Sequence, residues 1–357
     1  MRRSRLWAAL AAALAVGGIG GGLIGAAAGS SSAATLGGSA GPSGTCSVTA
    51  VADKVIPSVV TIAAKGPNGE SGVGSGEIIK SDGYILTNNH VIAAAASGGS
   101  VEVLFSDGAT AAATIAGRDP LTDLAVLKVQ PPRGLKAIAM GSSQSVQVGE
   151  QVIAVGAPLG LSGTVTSGIV SAVDRTVQVP GENNSSALLV SALQTDAAIN
   201  PGNSGGALVN CDGELVGVPT AGASVPSSSG EASGGNIGLG FAVPVNVAKT
   251  ISDEIIATGR ATHAYFGLQT VPISAESAAQ AGVPRGLFVA GVVSGSPAAT
   301  AGLREGDVIT KVSGQAATSN IQLQELTLTK KPGDTVALGY MRDGKEHTAT
   351  VTLGTQP

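Results

Sequence analysis

One stretch of the chain, Thr195–Gly206, reads TDAAINPGNSGG and sets a serine, Ser204, among glycines. Glycine permits backbone angles that other residues avoid, and it lets another molecule approach the chain closely. The backbone N–H groups of Gly202 and Ser204 can then converge on one point, as an oxyanion hole requires. Taken alone, the run is also compatible with an ordinary turn, so its interpretation depends on partners elsewhere in the chain.

A serine hydroxyl is a weak nucleophile unless a base accepts its proton and a third group orients that base. Histidine suits the task because its ordinary pKa, about 6.5, lies near neutral pH. His90 is the candidate base, because the other two histidines, His263 and His347, come much later in the chain. His90 follows the apolar run Tyr84–Thr87, so we expect it where a strand meets a loop.

Two aspartates, Asp119 and Asp123, are candidates for the orienting carboxylate. Asp119 precedes a proline and is interpreted as a turn residue. Asp123 opens the apolar run Leu124–Val129, where a carboxylate can be kept from water, and it is the preferred candidate. The resulting chain order, histidine then aspartate then serine, is that of double β-barrel proteases. An α/β-hydrolase would place its histidine last, so this order contradicts that alternative.

Short apolar runs separated by Gly, Pro, Asp or Ser predict a mainly β first domain. Val245 to about Gly259 has helical spacing instead and is predicted to close that domain. A helix over about Ser319–Thr329 and a shorter one opening at Pro297 are predicted in a second, α+β domain. The predicted strands are Ser58–Ala63, Gly76–Ile79, Tyr84–Thr87, Val101–Phe105, Ala111–Ala116, Leu124–Val129, Gln151–Val155, Thr164–Ala172, Leu188–Thr195, Ala207–Val209, Glu214–Val218, Gly238–Val243, Gly286–Val293, Val308–Val312, Thr335–Arg342 and Glu346–Thr352.

The N-terminus has the pattern of an export signal. Three arginines precede an uncharged stretch from Leu6 to about Ala28, and such cationic flanks stay on the cytoplasmic side of a membrane. Residues 1–28 are therefore predicted to be a signal sequence or a membrane anchor, and both outcomes stay open. Residues 29–47 are interpreted as a Gly/Ser-rich linker. The predicted location is extracytoplasmic, either anchored through residues 6–28 or secreted.

Composition narrows the classes of partner. The net charge of −4 gives no basic surface, which argues against nucleic acid. The two cysteines, Cys46 and Cys211, have no metal-ligand spacing, so neither a metal site nor a cofactor is predicted. In an exported protein they can form one disulfide, and two unpaired thiols are the alternative.

Three motifs together resemble the HtrA/Deg family of trypsin-like serine proteases. They are TNNHVI over Thr87–Ile92, DLAVL over Asp123–Leu127 and TDAAINPGNSGG over Thr195–Gly206. GLGFAVP over Gly238–Pro244 is also similar to that family. The resemblance runs from about Val51 to Gly354. It implies a double β-barrel protease domain over residues 48–260 and one PDZ domain over residues 264–355.

The resemblance also implies roles for individual residues. His90 corresponds to the general base, Asp123 to its orienting acid and Ser204 to the nucleophile. Gly202, Asn203 and Ser204 correspond to the oxyanion hole. The residues expected at the substrate pocket are Ala198, Ile199 and Leu239. Since no acid lies among them, cleavage after small aliphatic residues is expected rather than after Lys or Arg.

The second domain resembles a PDZ domain, a module that binds chain termini. Its carboxylate-binding loop is expected at Tyr265, Phe266, Gly267 and Leu268. The similar run Gly238–Phe241 is interpreted as part of the protease barrel, not as a second such loop. The Ser/Gly-rich segment Pro219–Asn236 is expected to be a mobile loop that orders on binding.

The leading hypothesis is an exported, ATP-independent endopeptidase for quality control under stress. Its expected substrates are unfolded or damaged proteins, and its PDZ domain is expected to bind C-terminal peptides that regulate activity. A homotrimer is implied by the resemblance alone. The alternative is a binding module or holdase built on a protease scaffold. A chaperone side activity alongside proteolysis is compatible with the leading hypothesis.

Overall fold

The computed structural model describes residues 46–157, 163–182, 185–220 and 238–356. The predicted signal or anchor over residues 1–28 and nearly all of the linker over 29–47 lie outside them. So does most of the segment predicted to be a mobile loop. Among the helices of the described residues, none has the length and apolarity needed to cross a membrane.

The first barrel is closed, with strands in the order β1-β2-β3-β6-β5-β4. Its interior is apolar and is filled by side chains such as Ile62, Ile85 and Leu127. The polar end of β3 and the start of β6 lie at the rim, where His90 and Asp123 are found. The elements are α1 (Val48–Val55), β1 (Val59–Lys65), β2 (Ser71–Lys80), β3 (Tyr84–Asn88), α2 (Asn89–Ile92), β4 (Ser100–Leu104), β5 (Thr110–Asp119) and β6 (Leu124–Val129), with 3₁₀ turns at Ile56–Ser58 and Ala93–Ala95.

The second barrel is a sheet in the order β11-β8-β9-β10-β13-β12-β7, which the added pairing of β11 with β12 closes. A separate apolar core lies where the two barrels and α3 meet. The helix α3 ends at Gly259, whose φ of 82° suits glycine at a helix C-terminus. The elements are β7 (Ala139–Met140), β8 (Gln151–Gly156), β9 (Thr164–Pro180), β10 (Ser186–Thr195), β11 (Ala207–Val209), β12 (Glu214–Thr220), β13 (Gly240–Pro244) and α3 (Val245–Thr258).

The C-terminal domain has its own apolar core. Its main sheet has the order β15-β16-β17-β19-β20, with β18 paired to β17. The strand β14 pairs with β21, so the first and last strands of this domain lie side by side. The elements are β14 (Ala264–Tyr265), β15 (Leu268–Ile273), α4 (Ala275–Ala281), β16 (Gly286–Val292), α5 (Pro297–Thr300), β17 (Val308–Val312), β18 (Gln315–Ala316), α6 (Asn320–Thr329), β19 (Thr335–Arg342), β20 (Lys345–Thr352) and β21 (Gly354–Thr355).

The mainly β class and the double barrel are confirmed, and every predicted strand overlaps an observed one. β9 extends to Pro180, beyond the predicted end at Ala172. The second half of the strand was not predicted because it is polar and partly exposed, so no apolar run marks it. The helix α1 was not predicted. It is short, and Ser47 caps its N-terminus because Ser47 Oγ accepts from Ala50 N–H at 3.3 Å. Nor were β15 and α4 predicted, which carry few buried side chains and hence little apolar periodicity.

The two cysteines are joined. Cys46 and Cys211 form a disulfide across 165 residues, so the first of the two alternatives holds. The bond ties the segment just before α1 to the turn between β11 and β12. A crosslink over so long a separation restricts the unfolded chain strongly.

Candidate active site

His90 lies in α2, two residues beyond the end of β3. Its Nδ1 is 2.8 Å from Oδ2 of Asp123, and its backbone N–H donates to Oδ1 at 3.0 Å. An ionised carboxylate can only accept, so Nδ1 carries the proton and Nε2 is left as the basic nitrogen. The His90 side chain is 37% exposed and that of Asp123 is 4% exposed. The imidazole therefore reaches solvent while its carboxylate stays dry.

Hydrogen bonds hold both the carboxylate and the main chain of Asp123. Thr220 Oγ1 donates to Oδ2 at 2.9 Å. The main-chain oxygen of Asp123 accepts from Asn89 N–H at 3.1 Å and from the Asn88 amide at 2.8 Å. Asp123 has φ of 58°, a left-handed angle that few residues other than glycine adopt. Such a conformation persists only where the surroundings impose it, so the aim of this carboxylate is fixed by its neighbours.

Ser204 lies on the turn between β10 and β11, in the second barrel. The next residue, Gly205, has φ of 77°. A side chain there would come within 2.3 Å of Thr87 Oγ1 and 2.9 Å of Asn88 N. Because Thr87 and Asn88 end the strand that leads to His90, the turn with Ser204 packs directly against the strand end with the histidine.

The peptide plane between Gly202 and Asn203 is fixed at both ends. Ser75 Oγ donates to the oxygen of Gly202 at 2.6 Å and accepts from Ala157 N–H at 2.8 Å. The N–H of Asn203 donates to the oxygen of Asn200 at 3.0 Å. Gly202 has φ of 100°, which suits glycine. The N–H groups of Gly202 and Ser204 belong to the planes on either side of this fixed one.

The residues predicted for the substrate pocket lie close together. Ile199 is buried, and a side chain on Gly240 would come within 2.6 Å of its Cγ1. Leu239, just before Gly240, is exposed. The start of β13 therefore lies against Ile199, with Leu239 just before the first paired residue of the strand.

Asp196 is the acidic residue nearest to Ala198 and Ile199 in the sequence, and its carboxylate is engaged elsewhere. Asp196 Oδ1 accepts the backbone N–H of Ile169 at 2.7 Å and so faces β9. The oxygen of Ala198 accepts from Thr166 Oγ1 at 3.0 Å and from the Asn203 amide at 3.3 Å. These bonds fix the position of residues 196–198, in the segment that leads to Ser204.

The four residues predicted for the carboxylate-binding loop, Tyr265–Leu268, line one cavity of about 300 Å³. The cavity lies between β15 and α6, and Leu323 and Thr327 of α6 complete that side. Gly267 has φ of 79°, and a side chain on it would come within 2.2 Å of Ser296. Leu121, a residue of the protease domain, also lines this cavity.

Comparison with known proteins agrees with this arrangement. The family model described as a trypsin-like peptidase domain matches residues 74–218, and the PDZ domain model matches residues 264–353. The periplasmic pH-dependent serine endoprotease DegQ of Escherichia coli is 37% identical over 337 residues, covering 87% of this chain and 70% of DegQ. The chain belongs to the HtrA/Deg family of serine endoproteases.

Two further relatives of this HtrA-family chain are informative. The serine protease PepD of Mycobacterium tuberculosis is 45% identical and is matched over 86% of this chain. The solved structure of the HtrA-type protease AlgW with a decapeptide has a TM-score of 0.67 and 32% identity, covering 87% of this chain and 99% of AlgW. The chain spans 66% of PepD and 56% of the periplasmic serine endoprotease DegP of Escherichia coli.

Sequence reasoning missed several residues that shape the site. Ser75 and Thr220 bond to the predicted machinery across long chain separations, and no local pattern marks them. Asp119 bonds within its own turn as expected, but it also binds His263, a partner that no pattern in the sequence indicates. Within the described residues, no cluster of His, Cys, Asp or Glu could hold a metal ion.

Proposed function

We propose that this chain is an exported, ATP-independent serine endopeptidase that cuts unfolded or damaged proteins. The observation that carries the proposal is the hydrogen-bonded pair of His90 and Asp123, with Nδ1 2.8 Å from Oδ2, beside the turn that bears Ser204. The names of its relatives, which are serine endoproteases and in several cases periplasmic, support the reaction class and the location. A disulfide between Cys46 and Cys211 suits an oxidising compartment outside the cytoplasm.

In the proposed mechanism Ser204 attacks the scissile carbonyl while Nε2 of His90 takes its proton. Asp123 holds the imidazole and stabilises the cation that forms. The N–H groups of Gly202 and Ser204 bind the developing oxyanion, and Asn203 lies between them. His90 then gives its proton to the leaving amine, and an acyl-enzyme on Ser204 remains. Water, activated by the same histidine, releases the second product and restores the serine.

Substrate selection is proposed to depend on the corner formed by Ala198, Ile199 and Leu239. An apolar surface next to Ser204, with the Asp196 carboxylate bonded to β9, favours a small aliphatic side chain over Lys or Arg. The exposed Leu239 precedes the paired part of β13, where an extended substrate backbone could continue the ladder. Cleavage after Val or Ala is the expected preference.

The PDZ domain is proposed to bind C-terminal peptides and to regulate the protease. In such modules a peptide adds a strand to a sheet edge while a loop captures its carboxylate. β15 is an edge strand of its sheet, and it borders the cavity lined by Tyr265–Leu268. Assembly as a homotrimer and anchoring through residues 6–28 belong to the proposal by family likeness, as does a chaperone side activity.

Casein digestion by the full chain tests the proposed reaction. Ser204→Ala should abolish digestion, with kcat lower by about 10⁶, because the nucleophile of such a triad cannot be replaced. Ser145→Ala removes an exposed hydroxyl remote from the turn and should digest casein at the wild-type rate. Equal digestion by wild type and Ser204→Ala, or digestion by neither, would reject the proposal.

A fluorophosphonate probe tests the regulatory part of the proposal on the same proteins. Labelling of Ser204 should rise when a peptide ending in a free valine carboxylate is added, and should not respond to the matching C-terminal amide. Suppressed aggregation of a heat-denatured protein by Ser204→Ala would show the chaperone side activity apart from proteolysis. Labelling that ignores both peptides would count against regulation by carboxylate capture.

A further inference from the structure

A second His–Asp pair lies outside the site described above. Nε2 of His263 is 2.9 Å from Oδ2 of Asp119, although 144 residues separate them. The two side chains are only 7% and 3% exposed. Burying such groups is unfavourable unless they are hydrogen-bonded, so breaking this contact removes a partner from each of two buried polar groups. The bond therefore holds its two chain segments together.

On one side, the pair organises the turn that ends in Asp123. Asp119 Oδ1 accepts from Leu121 N–H at 3.3 Å, and Oδ2 accepts from Thr122 Oγ1 at 2.5 Å. The main-chain oxygen of Leu121 accepts from Leu188 N–H of β10 at 2.9 Å. The carboxylate of Asp119 thus stabilises the turn conformation of the three residues between it and Asp123.

Packing alone does not fix this turn, because cavities flank it. Leu121 lines the cavity of about 300 Å³ at the PDZ loop. Thr122 lines a second cavity, of about 310 Å³, that Leu188 of β10 and Leu328 of α6 also border. A segment with open space on two sides depends on its hydrogen bonds for its position. The bond from His263 comes from outside the protease barrels.

On the other side, the pair leads straight into the PDZ domain. His263 directly precedes β14, and its main-chain oxygen accepts from Gln356 N–H, which follows β21, at 3.0 Å. Tyr265, two residues further on, already lines the PDZ cavity. A shift of this connector would therefore act on Asp119 through the buried side chain of His263.

We propose that His263 and Asp119 are positioning residues for the protease reaction. Their bond holds the turn 119–123 so that Asp123 keeps its left-handed backbone and its carboxylate stays on His90. The position of the connector to the PDZ domain is thereby carried to the catalytic pair. This role rests on the proposed function, because it presumes that His90 and Asp123 act in hydrolysis.

The role predicts an effect on turnover rather than on substrate binding. His263 and Asp119 are not among the residues assigned to the substrate corner, so the Michaelis constant should change little. The carboxylate of Asp123 would lose its exact aim, and a misplacement of about 1 Å can lower a rate by about a hundredfold. A general loss of folding would instead lower the amount of active enzyme and leave kcat per active site unchanged.

The test uses the full chain and the p-nitrophenyl ester of an N-blocked valine, with active serines titrated by a fluorophosphonate. His263→Leu should lower kcat per titrated serine by about tenfold to a hundredfold and change KM by less than about twofold. His263→Gln should recover most of the loss, because its amide nitrogen can donate from a position near Nε2. His347→Leu is the matched control, since His347 of β20 stacks on Tyr340 of β19, and it should leave kcat unchanged.

A second arm tests whether the effect passes through Asp123. In an Asp123→Asn background, His263→Leu should lower kcat by less than about twofold further, because the group that it positions is already lost. Full additivity of the two losses would overturn the positioning role. So would a His263→Leu chain that keeps wild-type kcat, provided that the wild type hydrolyses the ester.

Failure of the proposed function looks different. A wild-type chain that cleaves neither the ester nor casein would reject hydrolysis itself, and the positioning role with it. A wild type that is active beside an unaffected His263→Leu variant would reject the positioning role alone.

Discussion

The two His–Asp pairs use nearly the same bond for different tasks. His90 binds Asp123 at 2.8 Å and His263 binds Asp119 at 2.9 Å, and both aspartates flank one short turn. The imidazole of His90 is 37% exposed, whereas that of His263 is 7% exposed. Nε2 of His90 is left as its basic nitrogen, while Nε2 of His263 is the atom that binds its aspartate. Exposure and ring orientation, not the residue types, distinguish a base from a structural bond.

A third buried carboxylate extends the comparison. Asp307 of the PDZ domain is 1% exposed and receives two hydrogen bonds of 2.7 Å from Arg342. Hydrogen bonding to Asp307 is the main cause that raises the pKa of the Arg342 guanidinium, and the charge attraction between the two groups adds a smaller increase. Asp307 also accepts from Arg304 N–H at 2.8 Å. Here the partner is a permanent cation, so the pair can hold a fold but cannot exchange protons near neutral pH.

Glu77 is the opposite case, a buried carboxyl without a partner. It is 0% exposed, and neither carboxyl oxygen bonds to another residue. Its partners on the strands beside β2 are Val59 of β1 and Leu86 of β3, and both belong to the apolar core between the barrels. Burial raises the pKa of the Glu77 carboxyl well above its usual range, and the residue's own backbone N–H offsets this only in part. Asp119, Asp123 and Asp307 are thus buried with hydrogen-bond partners, whereas Glu77 is buried without one and is held toward the neutral form.

Among substitutions of the paired and unpaired carboxyls compared above, Asp123→Asn should produce the largest effect. An amide in place of the carboxylate favours the wrong tautomer of His90, and kcat for the valine ester should fall by about 10⁴. Asp119→Asn is the matched change on the same turn and should cost about tenfold to a hundredfold. Steady-state rates per titrated serine measure both. Equal losses would erase the distinction between a base-orienting carboxylate and a positioning one.

Arg342→Met should have the next largest effect, on stability rather than rate. It leaves Asp307 buried without its cation, and removing one partner of a buried pair costs about 3 kcal/mol or more. Arg342 itself is partly exposed, so we expect the lower end of that range. Urea unfolding of the full chain measures the loss, and ester hydrolysis at 25 °C should be unaffected. A loss of ester activity equal to that of Asp119→Asn would tie Arg342 to the active site instead.

Glu77→Met should have the smallest effect and the opposite sign. It replaces an unsatisfied polar group with an apolar one of similar size, and should raise the free energy of unfolding at pH 7 by about 1–3 kcal/mol. Because the folded-state pKa is raised, the wild type has its full stability below the ordinary glutamate pKa, about 4.3. That stability is lost as pH rises toward the folded-state value.

The pH dependence separates ionisation from packing at this position. The wild type should lose stability relative to Glu77→Gln as pH rises above about 4.3, by up to about 1.4 kcal/mol per unit. The glutamine variant keeps a polar group of the same size but cannot ionise. A constant difference between these two proteins across the pH range would show that the pKa of Glu77 is the same in the folded and unfolded chains, and would contradict the effect of burial.

The sequence was most reliable where chemistry or periodicity is local. His90 was found because the other histidines lie outside the first domain, and Asp123 because it opens the buried run Leu124–Val129. Each predicted strand overlaps an observed one because each carries an apolar face. The approach fails at α1, β15 and α4, which are short or largely exposed and so carry weak patterns.

The chain by itself determined the kind of chemistry and the order of its parts, since residue types, glycine positions and apolar spacing are written along it. Only the tertiary structure decided that Asp119, the other aspartate of the turn that ends in Asp123, binds His263. It also decided that Glu77 has no partner and that Leu121 of the protease domain borders the PDZ cavity. The reason is physical, because burial and hydrogen bonding depend on which distant segments meet, and no local pattern records that.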